Sequence, residues 1–70
     1  MNDALEYKNY TGSVEYSAAD EIFHGRILGI TDRITYEGDN AKSLCADFKA
    51  AVEDYLASCA ELGKEPEKPA

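Results

Sequence analysis

The side chains able to do chemistry are few and scattered. His24 is the single histidine. A general base needs an orienting carboxylate and a group to activate within hydrogen-bond reach. Its neighbours Gly25 and Arg26 supply neither, so His24 reads as a surface or interface residue. Asp20, Glu21, Asp32, Glu37 and Asp39 could converge as carboxylates around Mg²⁺. All of them fall at strand ends or turns, where acids commonly serve solubility and turn formation. Cys45 and Cys59 lie on the apolar arc of one helical segment, where cysteines usually pack rather than react. Gly12, Gly25 and Gly29 form no phosphate loop: there is no GxGxxG and no Lys-Ser/Thr after a glycine-rich turn. Inside strands they leave room instead, here for the bulky Phe48 and Tyr55 of the helix. Tyr7, Tyr10, Tyr16, Phe23 and Tyr36 lack interleaved basic residues, so core and interface packing suits them better than base stacking.

The elements that must position these residues follow from periodicity. Tyr7 to Ser17 alternates, with Tyr10, Gly12, Val14 and Tyr16 on one face and Thr11, Ser13, Glu15 and Ser17 on the other. Ala18-Ala19-Asp20-Glu21 has turn character. Ile22 to Ile30 carries apolar residues on both faces, as a central strand does. Thr31-Asp32 is a short connection, and Arg33 to Glu37 is a third strand with Ile34 and Tyr36 on one side. Short links make the three strands an antiparallel meander. Gly38-Asp39-Asn40 breaks the pattern, and either Asn40 or Asp39 can cap a helix. From Ala41 to Leu62 the period becomes 3.6: Leu44, Cys45, Phe48, Ala51, Val52, Tyr55, Leu56, Cys59 and Leu62 share one face. Gly63 is a plausible helix stop. The expected architecture is α+β, β-β-β-α, over residues 1–63, with one amphipathic helix on one face of a three-stranded sheet. Residues 64–70 form a polar, Pro-rich tail, read as a loop leading onward or a frayed end.

One helix covers one sheet face, so the opposite face, with Leu28 and Ile30 on it, is expected to be partly bare; such patches mark interfaces. Seventy residues make one domain, which hides only roughly 60% of its unfolded surface. Domains of this size usually need disulfides, a metal or a partner chain. The two cysteines stand about 20 Å apart along a helix, beyond the ~7 Å that a bridge allows, so reduced thiols and a cytoplasmic setting are expected. No Cys or His cluster has metal-ligand spacing, and no cofactor is expected. Fourteen acidic against seven basic residues give a net charge of −7. That balance speaks against direct nucleic-acid binding and against anionic membranes, and for a basic protein partner. No apolar run is long enough to span a bilayer, and the first residues lack the pattern of a secretion signal.

Four segments together resemble the HicB antitoxin family. Tyr10-Thr11-Gly12-Ser13-Val14-Glu15-Tyr16-Ser17 is similar to its opening strand. Phe23-His24-Gly25-Arg26-Ile27-Leu28-Gly29-Ile30 is similar to its second strand, F-x-G-x-[IV]-x-G-[IL]. Ile34-Thr35-Tyr36-Glu37-Gly38-Asp39 resembles its third strand and turn. Phe48 to Leu56, followed by Cys59 to Pro69, resembles its helix and the step to a fourth strand. The resemblance implies a partial RNase H-like fold without a working active site. It implies an oligomer and a partner, a basic HicA-type ribonuclease toxin whose active surface the antitoxin masks. Asn40 stands where Ser or Thr is commoner in the family, and caps equally well. The family's fourth strand and C-terminal DNA-binding domain are not found before Ala70. Promoter binding is therefore not expected of this segment, and an open sheet edge is.

The expected function is thus non-enzymatic: neutralisation of a HicA-like toxin by occlusion of its RNA-binding surface. The expected contact residues are Asp20, Glu21, His24, Arg26 and Asp32, on or beside the sheet side away from the helix. Two alternatives stay open: a metal-dependent nuclease of RNase H-like fold, and a self-associating structural domain.

Overall fold

A computed structural model describes residues 4–67. The fold is α+β, as expected, but its antiparallel sheet has five strands rather than three. In chain order they are β1 (Leu5–Tyr7), β2 (Tyr10–Gly12), β3 (Glu15–Ser17), β4 (Ile22–Leu28) and β5 (Thr35–Gly38), followed by α1 (Ala41–Leu62). β1 pairs with β2, both β2 and β3 pair with β4, and β5 pairs with β4 on its other side.

Two causes raise the strand number. First, Lys8 and Asn9 both have positive φ, at 50° and 69°, as the central pair of a two-residue hairpin turn requires. The chain therefore folds Leu5–Tyr7 back onto Tyr10–Gly12. β1 thereby covers the outer side of Tyr10–Gly12. Second, the run read as one strand is interrupted at Ser13 and Val14 without a register shift. Gly12 faces Ile27, and three residues further on Glu15 faces His24.

The interruption has a chemical origin. An antiparallel hydrogen-bonded pair normally exchanges two backbone bonds. Here the Ser13 N–H reaches the Arg26 carbonyl at 3.0 Å, but the Arg26 N–H donates to Ser13 Oγ, also at 3.0 Å. The Ser13 carbonyl is left to accept from the Tyr36 hydroxyl at 2.7 Å. A Cβ on Gly25 would collide with that carbonyl, and a Cβ on Gly12 would collide with the Tyr36 hydroxyl and the Phe48 ring. The strand glycines therefore make room for Phe48, as expected, but also for a tyrosine hydroxyl and a backbone carbonyl. Tyr55 packs instead edge-on against Tyr10, with ring centroids 6.0 Å apart.

β4 stops at Leu28, not Ile30, because Gly29 takes φ 80° and turns the chain. Ile30 then packs against the core together with Ile34. It is not on the bare face, where strict alternation would have left it.

α1 begins and ends as its sequence predicts. Asn40 caps it, its side chain accepting the Ser43 N–H at 2.8 Å. Gly63 adopts the left-handed conformation at φ 67°, with its N–H to the Ala60 carbonyl and the Lys64 N–H to the Cys59 carbonyl. This pairing is a Schellman motif. Leu44, Phe48, Val52, Tyr55 and Cys59 bury one stripe against Tyr10, Ile27 and Tyr36 of the sheet. Cys45, Ala51 and Leu56 are half-buried at its margins, whereas Leu62 is 77% exposed at the helix end. Both cysteines are free. The tail is not frayed through Glu67. The Tyr10 hydroxyl donates to the Glu67 carbonyl at 2.6 Å, and the Glu67 N–H donates to the Tyr55 hydroxyl at 2.9 Å. Lys68, Pro69 and Ala70 lie outside the described residues. No helix among the described residues is long and apolar enough to cross a membrane.

Candidate protein-docking surface

α1 occupies the sheet face that carries Tyr10, Gly12, Gly25, Ile27 and Tyr36. Strand alternation therefore puts Thr11, Glu15, His24, Arg26, Leu28, Thr35 and Glu37 on the other face. The pairing register arranges these residues in rows. Glu15, His24 and Glu37 are direct cross-strand neighbours over β3, β4 and β5. Arg26 lies opposite Thr35, and Leu28 opposite Thr11, which in turn faces Glu6. The open face is thus mainly polar and acidic. Its apolar content is confined to the half-buried Ile22 and Leu28.

The expected contact residues separate into three places. His24 and Arg26 share the open face, as the alternation indicated. Asp20 and Glu21 sit in the β3–β4 turn, where Ser17 Oγ bonds the Asp20 carboxylate and N–H, both at 3.4 Å. Asp32 lies at the opposite end of β4 and meets Lys64 Nζ at 3.5 Å, so it does not join the other four. Glu15 and Glu37 flank His24 yet were absent from the expected set, because the sequence displays their alternation but not the register that aligns them. Among the described residues, no group of three or more His, Cys, Asp and Glu is gathered closely enough to hold a metal ion.

The cations are mostly engaged elsewhere. Lys8 bonds Glu53 at 2.8 Å. That hydrogen bond raises the Lys8 pKa above its ordinary value and lowers that of Glu53. Lys49 sits over the Tyr7 ring at 5.7 Å. Lys64 is raised by the charge of Asp32. On the open face itself, Arg26 is the cation set among the carboxylates. The outer edge of β5 is guarded as well, since the Glu37 N–H donates to Asp47 of α1 at 2.9 Å.

A scan against protein-family models finds no match, and searches of curated proteins and of solved structures find none either.

Proposed function

We propose that this chain is a HicB-like antitoxin module that neutralises a basic, HicA-type toxin by covering the toxin's RNA-binding surface. The observation that carries this reading is the Glu15–His24–Glu37 row on a sheet face that no helix covers. Acidic side chains on a rigid sheet suit a basic protein surface: complementary charge steers the encounter and sets the register of docking. Asp20 and Glu21 extend the acidic surface at the β3–β4 turn, and His24 and Arg26 supply hydrogen-bond donors within it. The four-segment resemblance to HicB points to the same class of partner.

The test is association with the basic product of the neighbouring reading frame. The double charge reversal Glu15→Lys, Glu37→Lys should slow association about tenfold or more at low salt, with the difference shrinking as salt screens the field. The same variant should lose its ability to stop that protein from cleaving RNA. An association rate unchanged by the reversal and insensitive to salt would refute the proposal.

A further inference from the structure

Both arginines of the chain, Arg26 and Arg33, line one cleft of about 250 Å³, walled by the end of β4 and the loop that follows it. The sheet register brings them together. The β4–β5 ladder continues one pair beyond β5, where the Ile27 N–H donates to the Ile34 carbonyl at 3.0 Å. Ile34 packs on the core, so Arg33 before it turns toward the open face that Arg26 occupies. Arg26 stands opposite Thr35, which makes Arg33 its diagonal neighbour across the two strands. At that spacing long side chains reach one another. Both arginines are exposed, and neither guanidinium is paired with a carboxylate among the described residues. Asp32, the acid that lines the cleft, is drawn off by Lys64 at 3.5 Å. Two like charges held side by side repel each other, and a bound anion removes that cost. The same loop already seats an oxyanion: the Glu67 carboxylate accepts from the Thr31 hydroxyl at 2.8 Å and the Thr31 N–H at 3.1 Å.

We propose that this cleft binds a phosphate group carried by a small molecule, gripped between the guanidiniums of Arg26 and Arg33. A guanidinium fork matches a pair of oxygens. A carboxylate has two oxygens and is filled by one such fork. The Glu67 carboxylate shows the same limit, since Thr31 alone meets both of its oxygens. A phosphate carries oxygens on more than one side, so it can meet two forks at once, and its double charge offsets both arginines. Inorganic phosphate and a nucleoside monophosphate share this group. Arg26 lies on the face proposed for docking, but the cleft does not rest on that reading, because it is tested on the chain without a partner.

The experiment is a titration of the full, isotope-labelled chain with sodium phosphate at neutral pH and constant ionic strength. NMR follows the backbone amides of residues 29–33 and the Nε–H groups of the two arginines. The shifts should saturate with a Kd on the order of 1 mM, and acetate should bind about tenfold more weakly or worse. Arg33→Gln should weaken phosphate about tenfold or more, and Arg33→Lys should recover only part of that loss, because it restores the charge without the fork. Lys42→Gln removes an equal charge at the start of α1 and should leave the Kd unchanged. Both positions are exposed, and circular dichroism reports whether each variant folds. Adenosine monophosphate separates the two sources. A lower Kd than that of inorganic phosphate assigns the group to a nucleotide, and an equal Kd assigns it to the free anion; either supports the site. Shifts that stay linear in phosphate, or that chloride reproduces, overturn the proposal. So does acetate binding as tightly as phosphate, or a loss in Lys42→Gln equal to that in Arg33→Gln.

Discussion

Replacing Tyr36 by Phe removes one oxygen from the centre of the fold and isolates the role of the Ser13 interruption. The hydroxyl donates to the Ser13 carbonyl at 2.7 Å and lies 3.3 Å from the Arg26 carbonyl. The ring stays packed on Phe48, 5.1 Å between centroids, so little apolar contact is lost. What is lost is the partner of the Ser13 carbonyl, whose ladder bond Arg26 has already given to Ser13 Oγ. Removing one partner of a part-buried pair costs about 1–3 kcal/mol. In a domain of this size that is a midpoint shift of roughly 5–20 °C. Urea unfolding followed by circular dichroism should show a lower midpoint with an unchanged slope. Tyr16→Phe, which removes an exposed hydroxyl, should shift stability by less than about 0.5 kcal/mol. Alkaline pH tests the same group. Burial pushes the Tyr36 pKa from its ordinary value of 10.0 to about 12. A pKa raised on folding means that the native state holds the proton more tightly. The associated stability is present below the unfolded value and is lost as pH rises from about 10 through about 12. Tyr10 and Tyr55 are also raised by burial, so the informative quantity is the smaller alkaline loss in Tyr36→Phe. A variant as stable as wild type at neutral pH, or an identical alkaline profile, would refute the account.

Phe48→Ala should destabilise by about 3–5 kcal/mol, measured by the same unfolding curve, because Phe48 is 1% exposed and fills the space above Gly12. Asn9→Gly should stabilise by roughly 0.5–1 kcal/mol, since φ 69° at the second turn position suits glycine; no gain in melting temperature would count against the hairpin. Glu67→Gln should release the tail. The Glu67 carboxylate accepts from the Thr31 hydroxyl at 2.8 Å and the Thr31 N–H at 3.1 Å, and these bonds lower its pKa. Its contribution is therefore present above the unfolded carboxyl pKa and fades as pH falls through the lower folded value. Lower protection of the Thr31 amide relative to its intrinsic exchange rate, in the variant and in wild type on acidification, is the expected result.

Several elements were legible because their signals are local. The 3.6 period, Asn40 and Gly63 define α1 from end to end, and alternation places His24 and Arg26 on one face of β4. Other features depend on contacts that no local pattern carries. The break at Ser13 is set by the hydroxyl of Tyr36, 23 residues away. The β1–β2 hairpin turns on Lys8-Asn9, a pair without the glycine that usually announces such a turn. Gly29 moves Ile30 to the core side, defeating alternation over one residue. The tail reads as polar and Pro-rich, yet the hydroxyls of Tyr10, Tyr55 and Thr31 bind Glu67. The Glu15–His24–Glu37 row needed the register of two strand pairs.

The polar and the apolar surfaces divide the domain by a simple geometric rule. A single helix shields the sheet face that lies beneath it, and its buried stripe starts at Leu44. Phe23 packs against the core, whereas Tyr16, on the same side of β3, tilts against Phe23 and stays 55% exposed. The opposite face needs less cover, because Glu15, Arg26, Thr35 and Glu37 are exposed to solvent and His24 is half-buried among them. Its carboxylates would be costly against an apolar partner and favourable against a basic one.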